Sequence, residues 1–419
     1  MINKISFCGL SHLGLVYSAI YSKFSKQTVC FDSNIKLIQN LNKKKIEIKE
    51  PKLDSKLFYS KNRIKFTSDI EDITNSDLVF ISLDVPTNKN GESDYLKINN
   101  LINLIKKRLK KGSSLIILSQ LFPGFCDKVL VKNTFNLYYQ VETLVFGQAI
   151  ERALNPERLI IGSNLKKIED KKYKFLLKKF KCPKLIVSYK TAEMTKISIN
   201  IMLTSTAMTS NYLSLLSEKF DFDWYAVSKS LRLDKRIGKH AYLNPSLGLS
   251  GGNLERDIFN LKKISKKYKI DPSLINSWNK ISNIRKNWIL SILVKLTKKY
   301  KFRKISMLGL SYKIDTNSIK NSNAIYTIKK MKNLHFVCTD PQVSYAQISK
   351  IKNIEIKKIS ECIKSSKIII ISTPWKQFFN YLKSNKNIFK NKILIDPFNL
   401  SGSIKGIRTK KRFTLGDKI

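Results

Sequence analysis

The chain has 419 residues, room for two or three domains of roughly 100–200 residues each. Its 42% apolar and 26% charged residues exclude wholesale disorder. Lysine and arginine number 78 against 31 acids, a net charge of +47. The lysines run from Lys4 to Lys418 rather than gathering on one face or tail, so no nucleic-acid partner is expected, although such a field draws anionic ligands toward clefts.

In chain order, the apolar run Ile5–Cys8 predicts a strand that ends in Gly9-Leu10-Ser11-His12-Leu13-Gly14. This is a GxGxxG turn with serine in place of the middle glycine. A helix-length segment follows, and then a second strand, Val29-Cys30-Phe31, closed by Asp32. Strand, glycine turn, helix and strand-end acid at that distance predict a dinucleotide site. Gly9 permits the tight turn, Gly14 lets the helix pack on the sheet, and the helix N-terminus faces a pyrophosphate. Ser11 adds a hydroxymethyl group where phosphate approaches. Asp32 accepts from ribose hydroxyls and repels a 2′-phosphate, which favours NAD over NADP.

Leu78–Leu83 predicts a further buried parallel strand. From Ala192 to Trp288 the helical period takes over, with one glycine cluster, Pro245–Gly252. Within it, the uncharged run Ile197–Ser217 reaches spanning length but is rich in Ser, Thr and Asn. It predicts a helix buried against other helices, and no membrane span. Lys304–Tyr312 then repeats Lys4–His12 with six of nine positions identical. Val337–Asp340 repeats Val29–Asp32, and Ile368–Ile371 predicts another buried strand. The second copy lacks the third glycine and has Pro341 after its acid. It is expected to bind another nucleotide-containing ligand or only to pack.

The predicted fold is therefore α/β: two Rossmann-like doubly wound parallel-sheet domains, residues 1–188 and 299–419, joined by a central helical domain, 189–298. The six cysteines (Cys8, Cys30, Cys126, Cys182, Cys338 and Cys362) show no CxxC spacing, and histidine occurs three times. No metal site is expected. The thiols suit a reducing cytosol and the opening residues show no signal-peptide layout, so the expected location is cytoplasmic.

Many ordered segments of the chain resemble the UDP-glucose/GDP-mannose dehydrogenase family. Gly9–Val16 is similar to its GxGYVGLV opening, Glu50-Pro51-Lys52-Leu53 to its EPGL, and Val85-Pro86-Thr87 to its TP pair near the cofactor. Asn155–Arg158 with Gly162 resembles NPxRxxxG, and Ala192–Asn200 resembles the helix AELxKxxxN. Arg236-Ile237-Gly238, the glycine cluster ending at Asp257, and Tyr312-Lys313 with Thr316 and Ser322 follow in order. The resemblance implies an NAD-binding N-terminal domain, a dimerising helical middle, and a C-terminal domain that closes over a nucleotide sugar, a UDP-sugar by preference, for polysaccharide precursor supply.

The family oxidises a sugar CH–OH group to a carboxylate in two hydride transfers, with a cysteine in GYGGSCFPKD capturing the aldehyde. Carried over by position, Lys196 and Asn200 would hold the developing alkoxide. Asp257 would orient or deprotonate a water, and Glu142 would assist from the PEFL position. Arg236, Gly248, Gly251, Gly252, Tyr312 and Lys313 would contact substrate, while Pro86, Gln120 and Lys320 would join Gly9, Ser11, Gly14 and Asp32 around the cofactor.

The departures bear on mechanism. Aligned on Asp257, Asn253 stands where the family has its cysteine, and an amide nitrogen forms no thiohemiacetal at neutral pH. Gln120 replaces a threonine, Thr143 and Phe146 break PEFLxEG, Lys320 replaces an arginine, and Phe398 replaces the arginine of DxRN. Three readings survive: oxidation that halts at an aldehyde or ketone, oxidation to acid through a hydrate with Asn253 donating to the gem-diol, and a silent nucleotide-sugar-binding protein.

Overall fold

The computed structural model describes residues 2–59, 64–88, 91–130 and 135–417. It divides into two compact units, Met1–Ile199 and Asn200–Ile419. The first unit is built on eight strands: β1 (Ile2–Cys8), β2 (Ser25–Phe31), β3 (Ile64–Thr67), β4 (Leu78–Ile81), β5 (Ser114–Ile117), β6 (Asn136–Gln140), β7 (Leu159–Gly162) and β8 (Lys184–Val187). Their order is β3-β2-β1-β4-β5-β6-β7-β8. The first six run parallel in the doubly wound order.

The apolar runs form buried strands because helices cover both faces of the sheet. In β4, Leu78 and Phe80 enter one core cluster while Val79 and Ile81 enter the other, the period of two that a doubly covered strand requires. Phe7 stacks on Phe80 at 4.9 Å across the β1–β4 pair. One step departs from the expected parallel sheet. β7 pairs antiparallel with β6, and β8 runs parallel to β7. The chain returns alongside β6 after the short helix Ala149–Leu154 instead of making a full crossover.

The second unit carries the helices Trp224–Leu233, Asn253–Lys267, Ser273–Lys286 and Trp288–Tyr300 ahead of a six-stranded sheet. Its strands are β9 (Lys304–Leu308), β10 (His335–Thr339), β11 (Ile354–Ile356), β12 (Ile368–Ile371), β13 (Ile393–Ile395) and β14 (Lys411–Phe413), in the order β11-β10-β9-β12-β13-β14, all parallel. This is the order of the first six strands of the amino-terminal sheet, so the sequence echo is an echo of topology. Gly9 and Gly309 share positive φ, +87° and +96°, at matching turns.

The unit boundary falls inside one 32-residue helix, Tyr189–Phe220. The uncharged run does form this helix, but it is not buried all round. Between Asn200 and Phe220 its inward face is largely polar (Thr204, Ser210, Asn211, Ser214, Ser217 and Glu218 are buried), whereas Met202, Tyr212, Leu216 and Phe220 are exposed. The hydroxyls can be buried because several return to their own helix: Thr204 donates to the Asn200 carbonyl and Ser210 to that of Thr206. Glu218 is paired with the fully buried Arg285, Nη1 to Oε1 at 2.5 Å, and also accepts from the Gly416 amide. Among the described residues no helix is long and apolar enough to cross a membrane.

Candidate active site

Parallel strands place the residues that follow them along one edge of a sheet, where ligands of open α/β sheets bind. Gly9 follows β1, Asp32 follows β2, Pro86 lies beyond β4, Gln120 beyond β5 and Glu142 beyond β6. Five predicted residues from five loops thus share the carboxyl edge of the amino-terminal sheet.

The turn between β1 and the helix His12–Tyr21 is closed to larger side chains. A Cβ on Gly9 would come within 2.7 Å of Leu83, and one on Gly14 within 2.4 Å of the Gly9 carbonyl. Ser11 occupies the N-cap with extended backbone, yet no side chain caps the helix. Its hydroxyl donates instead to the Ser82 carbonyl at 2.6 Å. The serine is thereby folded onto β4's end, and its side chain does not cap the first-turn amides. Asp32 accepts from the Leu10 amide at 2.8 Å through one oxygen and from the Asn34 amide at 2.9 Å through the other, which leaves acceptor capacity on each oxygen. A glycine cradle, an uncapped ten-residue helix and a strand-end acid fit a dinucleotide.

The second copy differs in this respect. Asp340 takes the Leu310 amide at 2.7 Å, the Ser311 amide at 3.1 Å and the Trp375 indole at 3.3 Å on one oxygen. Its other oxygen takes the Gln342 and Val343 amides at 2.8 and 2.9 Å. The turn is closed by its own acid.

Lys196 and Asn200 lie one turn apart on the long helix. Lys196 Nζ donates to the Glu142 main-chain carbonyl at 2.6 Å and lies 3.6 Å from the Glu142 carboxylate. Both side chains are largely shielded, at 12% and 16% exposure. The lysine is therefore held at the sheet's carboxyl edge and is not a solvated surface amine. In the second unit Asn200 Nδ2 donates to Asp257 Oδ2 at 2.5 Å, and Asp257 is fully buried. Arg256 Nε lies 3.6 Å from its other oxygen.

Asn253 begins the helix Asn253–Lys267 and is exposed, one turn before Asp257. No cysteine takes up the missing role there. Cys8 and Cys30 lie in β1 and β2, Cys338 in β10, and Cys126 and Cys362 in short helices, all buried. Burial pushes the Cys30 and Cys362 thiols up to about 12 and the others of this group well above the ordinary range. Cys182, partly exposed, precedes β8.

The glycine loop is wedged within the second unit. A Cβ on Gly248 would meet the Ser282 carbonyl at 2.4 Å, one on Gly251 the Tyr312 ring at 2.8 Å, and one on Gly252 the Lys320 amine at 3.0 Å. Lys320 is thus found against this loop. Burial raises the Tyr312 phenol, and the Lys313 amine sits 5.8 Å from its ring. Arg236 is not gathered with these residues. It stands 88% exposed after the helix Trp224–Leu233, forked onto Asp234 at 2.6 and 3.0 Å.

Two buried carboxylates add supports that the sequence did not reveal as such. Glu193, one turn before Lys196, accepts the Gly124 and Cys126 amides at 2.5 and 2.9 Å and so anchors the loop after Gln120. Burial raises its carboxyl despite those bonds. Glu50 accepts from His12 and from the Gly147 and Ala149 amides. Both stood in segments that resemble family motifs, Glu50 in Glu50–Leu53 and Glu193 in Ala192–Asn200, with no role attached.

A dinucleotide turn with a shielded lysine along the same sheet edge defines a pyridine-nucleotide dehydrogenase site, in a chain that repeats its Rossmann order once. The chain belongs to the UDP-glucose/GDP-mannose dehydrogenase family. The family's NAD binding domain matches residues 3–181, its central domain 190–283 and its UDP binding domain 306–402. The UDP-glucose 6-dehydrogenase of Rickettsia prowazekii is 30% identical over 423 aligned positions, 95% of each chain. That of Rickettsia bellii is also 30% identical, over 99% of this chain and all of the relative. Among solved structures, a UDP-glucose dehydrogenase from Pyrobaculum islandicum shares the fold with a TM-score of 0.87 at 19% identity, covering 100% of this chain and 98% of that one. A UDP-D-ManNAc dehydrogenase from Pyrococcus horikoshii does so with 0.83 at 21%, covering 99% of each.

Proposed function

We propose that this chain oxidises a CH–OH group of a UDP-sugar with NAD and releases the carbonyl product of one hydride transfer. The observation that carries this reading is Lys196, buried against Glu142 at the carboxyl edge of the dinucleotide-binding sheet. NAD, when bound along Gly9, Ser11, Gly14 and Asp32 with Pro86 and Gln120 alongside, supplies the hydride acceptor. The Glu142 carboxylate accepts the hydroxyl proton, Lys196 Nζ stabilises the alkoxide that this leaves, and departure of the hydride turns the alkoxide into the carbonyl. Neither step needs a thiol. The absence of cysteine near Asn253 removes covalent capture, so the second oxidation loses its nucleophile.

One observation favours a second reading, oxidation onward to the acid. Asp257 is fully buried and hydrogen-bonded to Asn200, an arrangement suited to activating a water against a carbonyl, with Asn253 donating to the hydrate. In either reading Gly248, Gly251, Gly252, Tyr312 and Lys313 shape the nucleotide-sugar end, Lys320 keeps its proposed place toward the cofactor, and Arg236 reaches a substrate from a partner subunit.

We infer that the chain is a homodimer in the cytoplasm. The long helix buries its polar face and exposes Met202, Tyr212, Leu216 and Phe220, with Leu233 and Tyr242 also exposed in the same unit. Exposed apolar side chains grouped on one helix are the kind of surface that a partner covers. The free thiols suit a reducing compartment.

The test is incubation of purified protein with NAD and a panel of UDP- and GDP-sugars, counting NADH per sugar consumed. One NADH per sugar supports release of the carbonyl, and two support the acid. Binding without NADH from any sugar returns the chain to a silent binding protein.

A further inference from the structure

The helix that opens at the dinucleotide turn begins with His12, whose bond to Glu50 serves none of the roles assigned above. Its Nε2 donates to Glu50 Oε2 at 2.9 Å. Its ring lies face to face with Phe146, centroids 4.1 Å apart and planes inclined by 18°. The pair is enclosed, with 11% of the His12 side chain exposed and none of Glu50.

Glu50 is already committed on its other side. The oxygen that takes His12 also takes the Gly147 amide at 3.0 Å, and its second oxygen takes the Ala149 amide at 2.9 Å. These amides end the loop that begins at Glu142, whose main-chain carbonyl holds Lys196. The loop is thus gripped at its far end by Glu50, in its middle by the stacked Phe146, and at its near end by Lys196. Both stacked residues are departures from the family motifs: position 12 is tyrosine in GxGYVGLV and position 146 is glutamate in PEFLxEG. The two departures meet in one contact.

We propose that His12 is a positioning residue: stacked on Phe146 and hydrogen-bonded to buried Glu50, it ties the dinucleotide-turn helix to the loop that presents Glu142 to Lys196. The proposal rests on the reading that Glu142 and Lys196 act on the substrate alcohol. Its physical content is that a carboxylate at the start of an eight-residue loop, and the carbonyl that holds Lys196 there, are only as well placed as the loop's supports, and a misplacement of about 1 Å can cost up to about a hundredfold in rate. An imidazole suits the task because one edge donates to a carboxylate while its face still packs on an aromatic ring.

The test compares wild type with His12→Ala, His12→Tyr, Phe146→Ala and the double variant His12→Ala/Phe146→Ala. Two readouts are needed: amide hydrogen exchange of the segment 142–149, and kcat and KM with NAD and the best sugar of the panel. His12→Ala is expected to speed exchange at the Gly147 and Ala149 amides about tenfold or more, and to lower kcat roughly ten- to a hundredfold with KM changed by less than about threefold. His12→Tyr keeps a ring and a donor and is expected to restore most of both. The double variant should be little worse than His12→Ala alone, because both remove one contact. Unchanged exchange overturns the clamp. Faster exchange with unchanged kcat makes His12 merely structural and overturns the proposal, as do losses that simply add. If wild type yields no NADH with any sugar, the functional reading fails and takes the catalytic half of the proposal with it, while the exchange arm still decides whether the clamp exists.

Discussion

Replacement of Asp77 by asparagine gives a test of the amino-terminal unit that is independent of its chemistry. Asp77 lies just before β4, at the edge of the sheet opposite Gly9, with its carboxylate wholly buried. It accepts the Asn3 amide at 2.8 Å, Lys172 Nζ at 2.5 Å and Lys110 Nζ at 3.1 Å. Burial pushes this carboxyl upward, but the bonds from Lys172, Asn3 and Lys110 outweigh it and hold the acid at about 2, against an ordinary 3.8. At about 1.4 kcal/mol per unit, that difference corresponds to a little over 2 kcal/mol of folding stability. The lysine ends are 40% and 42% exposed, and water screens part of the attraction, so about 1–2 kcal/mol is the expected loss in Asp77→Asn at neutral pH. Because the folded carboxyl is depressed, the contribution is complete above the unfolded value near 3.8 and disappears as the pH falls through about 2. All four tryptophans, Trp224, Trp278, Trp288 and Trp375, belong to the second unit. Urea unfolding followed by tryptophan fluorescence therefore reports that unit, while hydrogen exchange in β1 and β4 reports the first. Asp77→Asn should lower protection in β1 and β4 at neutral pH, leave the fluorescence transition in place, and match wild type in strong acid. A difference that persists undiminished at low pH, or none at neutral pH, would refute the reasoning.

Lys196→Met should lower kcat by about a hundredfold or more with a smaller effect on substrate KM, as loss of a transition-state contact does; equal losses would deny it the alkoxide role. Glu193→Gln turns an amino group toward one of two backbone N–H donors, and should cost roughly 1–3 kcal/mol while weakening NAD binding, measured by titration. Arg285→Ala strands the buried Glu218, and the tryptophan-reported transition should fall by about 3–5 kcal/mol. Asn253→Cys should raise NADH per sugar above one if the exposed start of its helix meets the substrate carbonyl, and an unchanged ratio in an active variant counts against that register.

The parts of the site legible in the sequence were those built from local contacts. The Gly-Leu-Ser turns and the acids closing β2 and β10 lie within about thirty residues of one another, and each pair meets through a Leu amide. What escaped was set by distant partners. The antiparallel entry of β7 depends on which edge the chain rejoins after β6, and nothing in Leu159–Gly162 encodes a direction. Ser11 read as an obstruction because its partner, the Ser82 carbonyl, comes from another strand end. The run Ile197–Ser217 read as buried because it is uncharged, but serine and threonine hydroxyls that return to their own helix made the polar face the one that could be buried.

Glu193, Lys196 and Asn200 recur at intervals of three and four, which puts them on one stripe of the long helix. Each reaches a different segment: Glu193 the amides of Gly124 and Cys126, Lys196 the carbonyl of Glu142, and Asn200 the carboxylate of Asp257. Glu193 and Lys196 thus register two loops within the amino-terminal unit, while Asn200 reaches a helix residue within the second. The position at which the family's nucleophile is missing belongs to a separate helix, Asn253–Lys267, and bears none of these contacts except through Asp257. On the proposed reading, an asparagine in place of the thiol at position 253 alters none of the Lys196–Glu142 contacts on which the first hydride transfer rests.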